Sequence, residues 1–220
     1  MRHILERKPW QSQRDNHQHP NGSCGPTATI NALHAVGLEM PHPGFDQEED
    51  FFTDWLEKPA AVAYMLTHYP FAKGSTLRPR HFGEILAWGV NQIMQPVVGA
   101  DVAFRKARSM PEMAQAIFSD RPVIVSCNFT SAGHFICLAG VEVADDVANL
   151  AELKEDEILA FFVDDSWGNY NVNYKDHNGN NVRYTRRLLR DMMKGGDGFK
   201  WVSNLITNPA HDKGGYVSAA

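Results

Sequence analysis

The chain has 220 residues, 43% of them hydrophobic, enough to bury a full core as one domain of ordinary size spanning 1–220. A net charge of −5 gives no field that would draw nucleic acid or acidic lipid. No run approaches the ~18 apolar residues that a membrane helix needs, and the start of the chain, with Arg2, Arg7, Lys8 and Pro9, lacks the apolar stretch of a signal peptide. Three cysteines, Cys24, Cys127 and Cys137, make no disulfide framework and suit a reducing compartment. The expected location is the cytoplasm, with release by lysis or packaging in a particle compatible with the same sequence.

In chain order, residues 1–23 read as an extended arm ending in a polar loop. Asn21-Gly22-Ser23 is turn chemistry that runs straight into a helix. Pro26 fits the first helical turn, where its missing N–H is no loss, and Gly37 supplies a stop. Cys24 therefore stands where unpaired N–H groups and the positive end of the helix dipole converge, which favours the thiolate. After the Pro/Gly break at 40–44, helical spacing of apolar residues recurs over 46–57, 59–68 and 80–93.

The second half changes period. Residues 101–106 are short and extended, and Ser109-x-x-Glu112 is a capping box opening a helix to Ser119. Residues 123–129, 134–143 and 158–164 are rich in β-branched and aromatic side chains and predict an antiparallel meander. The acidic segment 144–157 reads as a solvated loop or short helix, and Asn178-Gly179-Asn180 within 174–184 as a hairpin turn. A basic helix over 183–194, a short strand over 199–202 and a loosely ordered tail over 208–220 complete the chain. Helices first and antiparallel strands second is an α+β arrangement.

A cysteine nucleophile needs a base, an orienter for that base and donors for the oxyanion. His134 opens one predicted strand, with Ile136 and Leu138 on its face and Phe135, Cys137 and Ala139 on the other. The next strand ends at Asp164-Asp165, and antiparallel pairing brings that end beside His134. A carboxylate there would fix the imidazole tautomer and stabilise its protonated form, with Trp167 placed to cover the pair. Neighbouring residues point to opposite faces, so only one of the two acids can face the imidazole. Cys127 and Cys137, in mid-strand, read as small core hydrophobes.

The order of Cys at a helix start, His at a strand start and acid before Ser166-Trp167-Gly168 resembles the papain-like cysteine peptidases, with Asp165 where papain itself has Asn. Cys24-Gly25-Pro26-Thr27, Gly133-His134-Phe135-Ile136, Gln13-Arg14-Asp15-Asn16 and the run from Gly168-Asn169-Tyr170 through Gly179 to Val182-Arg183-Tyr184 are similar to relatives of the bacteriocin-processing, double-glycine-leader peptidases, in a bacterial and phage branch. The resemblance touches roughly 11–37 and 120–185 and leaves the helical middle unassigned. It implies a papain-like fold, with the nucleophile helix packed on the sheet, and a cysteine peptidase with Cys24 as nucleophile, His134 as base and Asp165 as orienter. It also implies a glutamine amide in the oxyanion hole. Gln18, six residues before Cys24, has the papain spacing. Gln13, eleven before, lies in the stretch shared with the closer relatives, and is the preferred choice.

Other patterns carry less. His17, His19, Cys24, His34 and His42 lack the spacing of a zinc site. Asp176 to Asn180 would make a calcium loop only with glycine two places later and an acid where Arg187 stands. The face of Arg183, Arg186, Arg187, Arg190 and Lys194 reads as solvated helix rather than a site for an anionic polymer. The expectation is thus a peptidase without metal or organic cofactor, acting on a peptide or peptidoglycan-like substrate, with nucleic acid and membrane not among its partners; its oligomeric state is open. The competing function is a catalytically idle module of the same fold that binds a peptide or wall fragment.

Overall fold

The computed structural model describes residues 1–98, 109–195, 198–199 and 201–204; the expected extended run over 101–106 and the expected tail over 208–220 lie outside the described residues. Strand β1 is Arg2–Ile4. The helical part follows as α1 Cys24–Ala35, α2 Glu48–Leu56, α3 Pro59–His68, α4 Gly83–Val98 and α5 Met110–Phe118. Next come β2 Val123–Cys127, β3 His134–Val143, β4 Ile158–Asp164, β5 Val182–Thr185 and α6 Arg186–Met193. Two short strands, β6 Lys194–Gly195 and β7 Gly198–Phe199, pair with each other, and β8 is Trp201–Asn204. The main sheet runs β5-β4-β3-β2-β8, with β1 also paired to β3, and every pairing is antiparallel. This is an α+β fold of papain-like organisation, with the N-terminal helices against a C-terminal antiparallel sheet.

The long β3 is the hinge of the assembly. Its first half pairs with β2 and its second half with β1, so Cys127 stands opposite His134, and Ile4 opposite Gly140. A side chain on Gly140 would run into the His3 carbonyl at 2.9 Å, which is why the arm can cross there. α1 and α5 pack on β3, and α6 on β4 and β5. Every residue of α1 from Gly25 to Ala35 is buried, which explains a composition apolar on more than one side. Gly37, at φ 83, ends that helix in the left-handed region, with Leu38 N–H returning to the Leu33 carbonyl at 2.9 Å. The Ser109–Glu112 capping box is formed as its sequence pattern requires.

Two expectations change. The 174–184 stretch is not a local hairpin: β4 pairs with β5 directly, and residues 165–181 loop between them. Gly179 is reserved for a close approach, since a Cβ there would lie 1.8 Å from the Asp165 carbonyl oxygen. Its own carbonyl accepts the Asp165 N–H at 2.9 Å. The basic helix begins only at Arg186, because 182–185 is taken into the sheet. Its arginines face an internal acid: Arg190 bonds the Glu155 carboxylate and Arg186 the Glu155 carbonyl, while Arg183 reaches Glu142. Within the acidic 144–157 segment, Glu155 thus gains arginine partners from α6 and Asp145 pairs with the N-terminal amine.

Glu49 in α2 is buried, and its Oε1 has no hydrogen-bond partner among the described residues. Burial, reinforced by Asp15, Asp50 and Glu48 and only partly offset by its own N–H, pushes its pKa up to about 7. Above the ordinary carboxyl value the unfolded chain releases this proton while the fold retains it. Stability contributed by the neutral form is therefore lost as pH rises towards and through 7. Glu49→Gln should remove this loss, on the order of 3 kcal/mol at full ionisation, and flatten the dependence of chemical-denaturation stability on pH between 5 and 8. An unchanged slope would refute the assignment.

Candidate active site

The first turn of α1 carries Cys24, half-buried among otherwise buried neighbours. Its position is set by backbone contact: a Cβ on Gly25 would stand 2.6 Å from the Arg80 carbonyl oxygen and 2.9 Å from Leu86. Only glycine lets the helix start come this close to the 79–81 turn. On the sheet side, Gly133 at φ 84 turns the chain into β3, so that His134 is its first residue.

The His134 ring is 4% exposed and its Nε2 lies 2.7 Å from Oδ1 of Asp165, which is fully buried. With Nε2 engaged, Nδ1 is the ring nitrogen left for the Cys24 thiol, which hydrogen-bonds the imidazole. Burial acts to raise the thiol pKa. The bond and charge of His134, with the N–H groups of Phe135 and Gly25, more than reverse this and hold Cys24 below the ordinary thiol value. Burial would likewise depress the imidazole, but the Asp165 charge and hydrogen bond, with Cys24 adding to them, push His134 up to about 10. At neutral pH the imidazole is charged, and that charge favours the thiolate form of Cys24.

Asp165 is held by more than the imidazole. Its Oδ1 also accepts the Trp167 N–H at 3.0 Å, and its Oδ2 accepts the hydroxyls of Tyr184 at 3.0 Å and Tyr174 at 3.3 Å. Burial and the Asp165 charge keep both phenols well above their ordinary values, so they remain donors. Tyr174 also meets the His134 ring edge-on at 6.4 Å. Trp167 is capped by the Arg14 guanidinium, 4.0 Å from its ring, whose Nε bonds the Trp167 carbonyl at 2.7 Å. Asp164 points the other way. Its Oδ1 accepts the Asn181 N–H at 2.9 Å, and burial, with Glu6 adding, pushes it up to about 7.

Gln13 is buried and Gln18 exposed. The Gln13 Oε1 accepts the Ser166 hydroxyl at 2.6 Å, its Nε2 donates to the Pro20 carbonyl at 2.9 Å, and its N–H reaches the Ser166 carbonyl at 3.1 Å. The side chain thereby ties the residue after Asp165 to the loop that delivers Cys24, and one Nε2 hydrogen is left over. Gln18 contributes its backbone N–H to Asn16 and Asp50 at the surface. The structure brings together Cys24, His134 and Asp165, sets Gln13 beside Ser166, and leaves Gln18 outside. Sequence reasoning missed Tyr174 and Tyr184; the Val182-Arg183-Tyr184 pattern was visible, but not the destination of the hydroxyl. Of the histidines in the N-terminal half, His34 is buried between the Pro9 carbonyl and Glu48, each at 2.7 Å. Among the described residues no cluster of three His, Cys, Asp or Glu could hold a metal ion.

Two measurements test this electrostatic arrangement. Iodoacetamide at pH 6 to 7 should alkylate Cys24 at least tenfold faster than Cys127 or Cys137, both buried, the latter with its thiol pushed up by burial and Asp164. Comparable labelling of all three in the folded protein would contradict it. In Asp165→Asn the acceptor for Nε2 is kept and the charge removed, so NMR titration should find the His134 pKa lowered by more than one unit.

A model of the Peptidase_C39 like family matches residues 6–187, a span that includes every residue of the site described above. No curated protein and no solved structure matches the chain significantly. The match covers most of the sequence, and the protein belongs to the C39-like peptidase family.

Proposed function

We propose that the protein is a cysteine hydrolase that cleaves peptide or amide bonds through a thioester. The observation that carries this reading is a cysteine at a helix start set against an imidazole that a fully buried carboxylate holds at 2.7 Å, a costly arrangement that a merely structural cysteine and histidine would not need. The Cys24 thiolate attacks the carbonyl carbon and forms a C–S bond while the carbonyl electrons move onto oxygen. The remaining Nε2 hydrogen of Gln13 and the Cys24 N–H are the donors assigned to that oxyanion. As the oxyanion collapses, the C–N bond breaks and His134 gives its proton to the departing amine. Water then attacks the thioester with His134 as base, releasing the acid and restoring the ion pair. Asp165 keeps the imidazole in one tautomer and stabilises its charged form throughout, while the two tyrosines and the Trp167 N–H hold the carboxylate itself. All three cysteines are free, which fits action in a reducing compartment such as the cytoplasm. Among the described residues no helix is long and apolar enough to cross a membrane.

A proteome-derived peptide library digested with wild type and with Cys24→Ser tests the proposal. Wild type should generate new termini that the variant does not. Alkylation of Cys24 without any cleavage would instead favour a binding module that keeps the reactive pair. Gln13→Ala should lower kcat on the order of a hundredfold with a small change in KM, since an oxyanion donor acts mainly on the transition state. Gln18→Ala should do neither. On the alkaline side, turnover should fall as pH passes about 10, because His134 then lacks the proton the leaving amine needs.

A further inference from the structure

Among the described residues, Oδ2 of Asp165 takes its hydrogen bonds from two phenols, Tyr184 at 3.0 Å and Tyr174 at 3.3 Å. The direction of the Tyr184 proton is fixed from behind. Its oxygen already accepts the Tyr170 N–H at 3.0 Å, so its hydrogen is left for the carboxylate. The Phe129 ring lies against both Tyr170 and Tyr184, with centroids 4.5 and 5.2 Å away, and Tyr184 is fully buried.

Tyr174 reaches the same oxygen from an exposed loop whose neighbouring residues, Asn173 and Lys175, lie in solvent. That loop closes on itself through Asn169. The Asn169 N–H bonds the Asp176 carbonyl, and the Asn169 carbonyl accepts the Tyr174 N–H, each at 2.9 Å. Asn173 and Tyr174 both sit in the left-handed region, at φ 52 and 60, a conformation that is unfavourable for an aromatic residue. Strain of this kind persists only where surrounding contacts fix it. Here the contact it secures is a hydroxyl on Asp165.

Several titratable groups surround the imidazole. Asp165 and Cys24 of α1 act on it directly, Tyr174 meets it edge-on, and Tyr184 stands behind the carboxylate. Cys127 of β2 bonds the His134 carbonyl through its thiol at 3.2 Å, and Asp164 faces away to Asn181. Each phenol O–H aims its positive end at Asp165, and so towards the imidazolium beyond it. The two dipoles therefore oppose the hold of the carboxylate on the imidazole proton. In a two-step hydrolysis His134 must give that proton to the amine and then take one from water. A carboxylate without the phenols would keep the imidazole charged more firmly in both steps.

We infer that Tyr184 and Tyr174 are positioning residues that act through Asp165: their hydroxyls fix its carboxylate on His134 by Oδ1 and temper its pull on the imidazole proton. The hydrolase reading supplies the reaction this would serve, whereas the effect on the imidazole belongs to the phenols and Asp165 themselves. Tyr184, closer and fully buried, has the larger share.

NMR titration of His134 in Tyr184→Phe tests this. The His134 pKa should rise by about half a unit over wild type, about threefold in proton affinity. This is opposite in sign to the effect of Asp165→Asn. Tyr174→Phe should give a smaller rise. It keeps the chain from Tyr170 through Tyr184 to Asp165, so it stands in if Tyr184→Phe does not fold. In both variants the midpoint of Cys24 alkylation by iodoacetamide against pH should move down, because a more firmly held imidazolium favours the thiolate. A shift of His134 in the direction of Asp165→Asn overturns the inference. So does an unmoved titration with only a loss of denaturation stability, which would mark the tyrosines as packing residues. Neither measurement uses a substrate, so absence of cleavage in the library digest would sink the hydrolase reading alone.

Discussion

The site depends on a hydrogen bond between two buried groups, His134 Nε2 and Asp165 Oδ1 at 2.7 Å, with the carboxylate at 0% exposure. A buried carboxylate with an unfilled acceptor set would cost several kcal/mol, and much of the local structure serves to fill it. The Trp167 N–H turns back onto Oδ1, Tyr184 comes from β5 and Tyr174 from the loop between β4 and β5. Even the Asp165 backbone is held, by the carbonyl of Gly179. The 165–181 loop thus brings two of the four donors to that carboxylate, and β3 and β5 bring the other two.

The same economy appears on the helix side. On that side α1 is buried along its length while Cys24 at its first position stays half-exposed. The approach to the 79–81 turn is fixed by Gly25, where any side chain would strike the Arg80 carbonyl. One residue, Arg80, presents its carbonyl to the start of α1 and pairs its guanidinium with Glu57. The helical middle, which the motifs left unassigned, supplies a wall of the site.

Much of this was legible in sequence because it rests on local periodicity. β3 and β4 begin and end where alternation and β-branched content said, and α3 and α5 where Pro59 and the Ser109 capping box said. Antiparallel neighbours in sequence bring strand start to strand end, so the meeting of His134 with the 164–165 pair needed no tertiary information. The Asn178-Gly179-Asn180 turn was misread for the converse reason. A glycine required by left-handed backbone and a glycine required by another chain segment look identical in sequence, and here the second applies. The tyrosines escaped notice because a hydroxyl's partner is chosen by packing between elements.

Asp164 and Asp165 show how far environment separates identical chemistry. They are adjacent, both buried, and on opposite faces of one strand end. Asp164 receives one backbone N–H and stands near Glu6 and Cys137, so burial dominates and its pKa moves up to about 7. Asp165 receives four donors, one of them the imidazole that it in turn pushes up to about 10. Donors on one side and a near-bare interior on the other turn a repeated residue into two different groups. The alternation of the strand, a geometric fact of two residues per repeat, decides which acid can charge the histidine, and through the histidine which of three cysteines has its thiol held below the ordinary value.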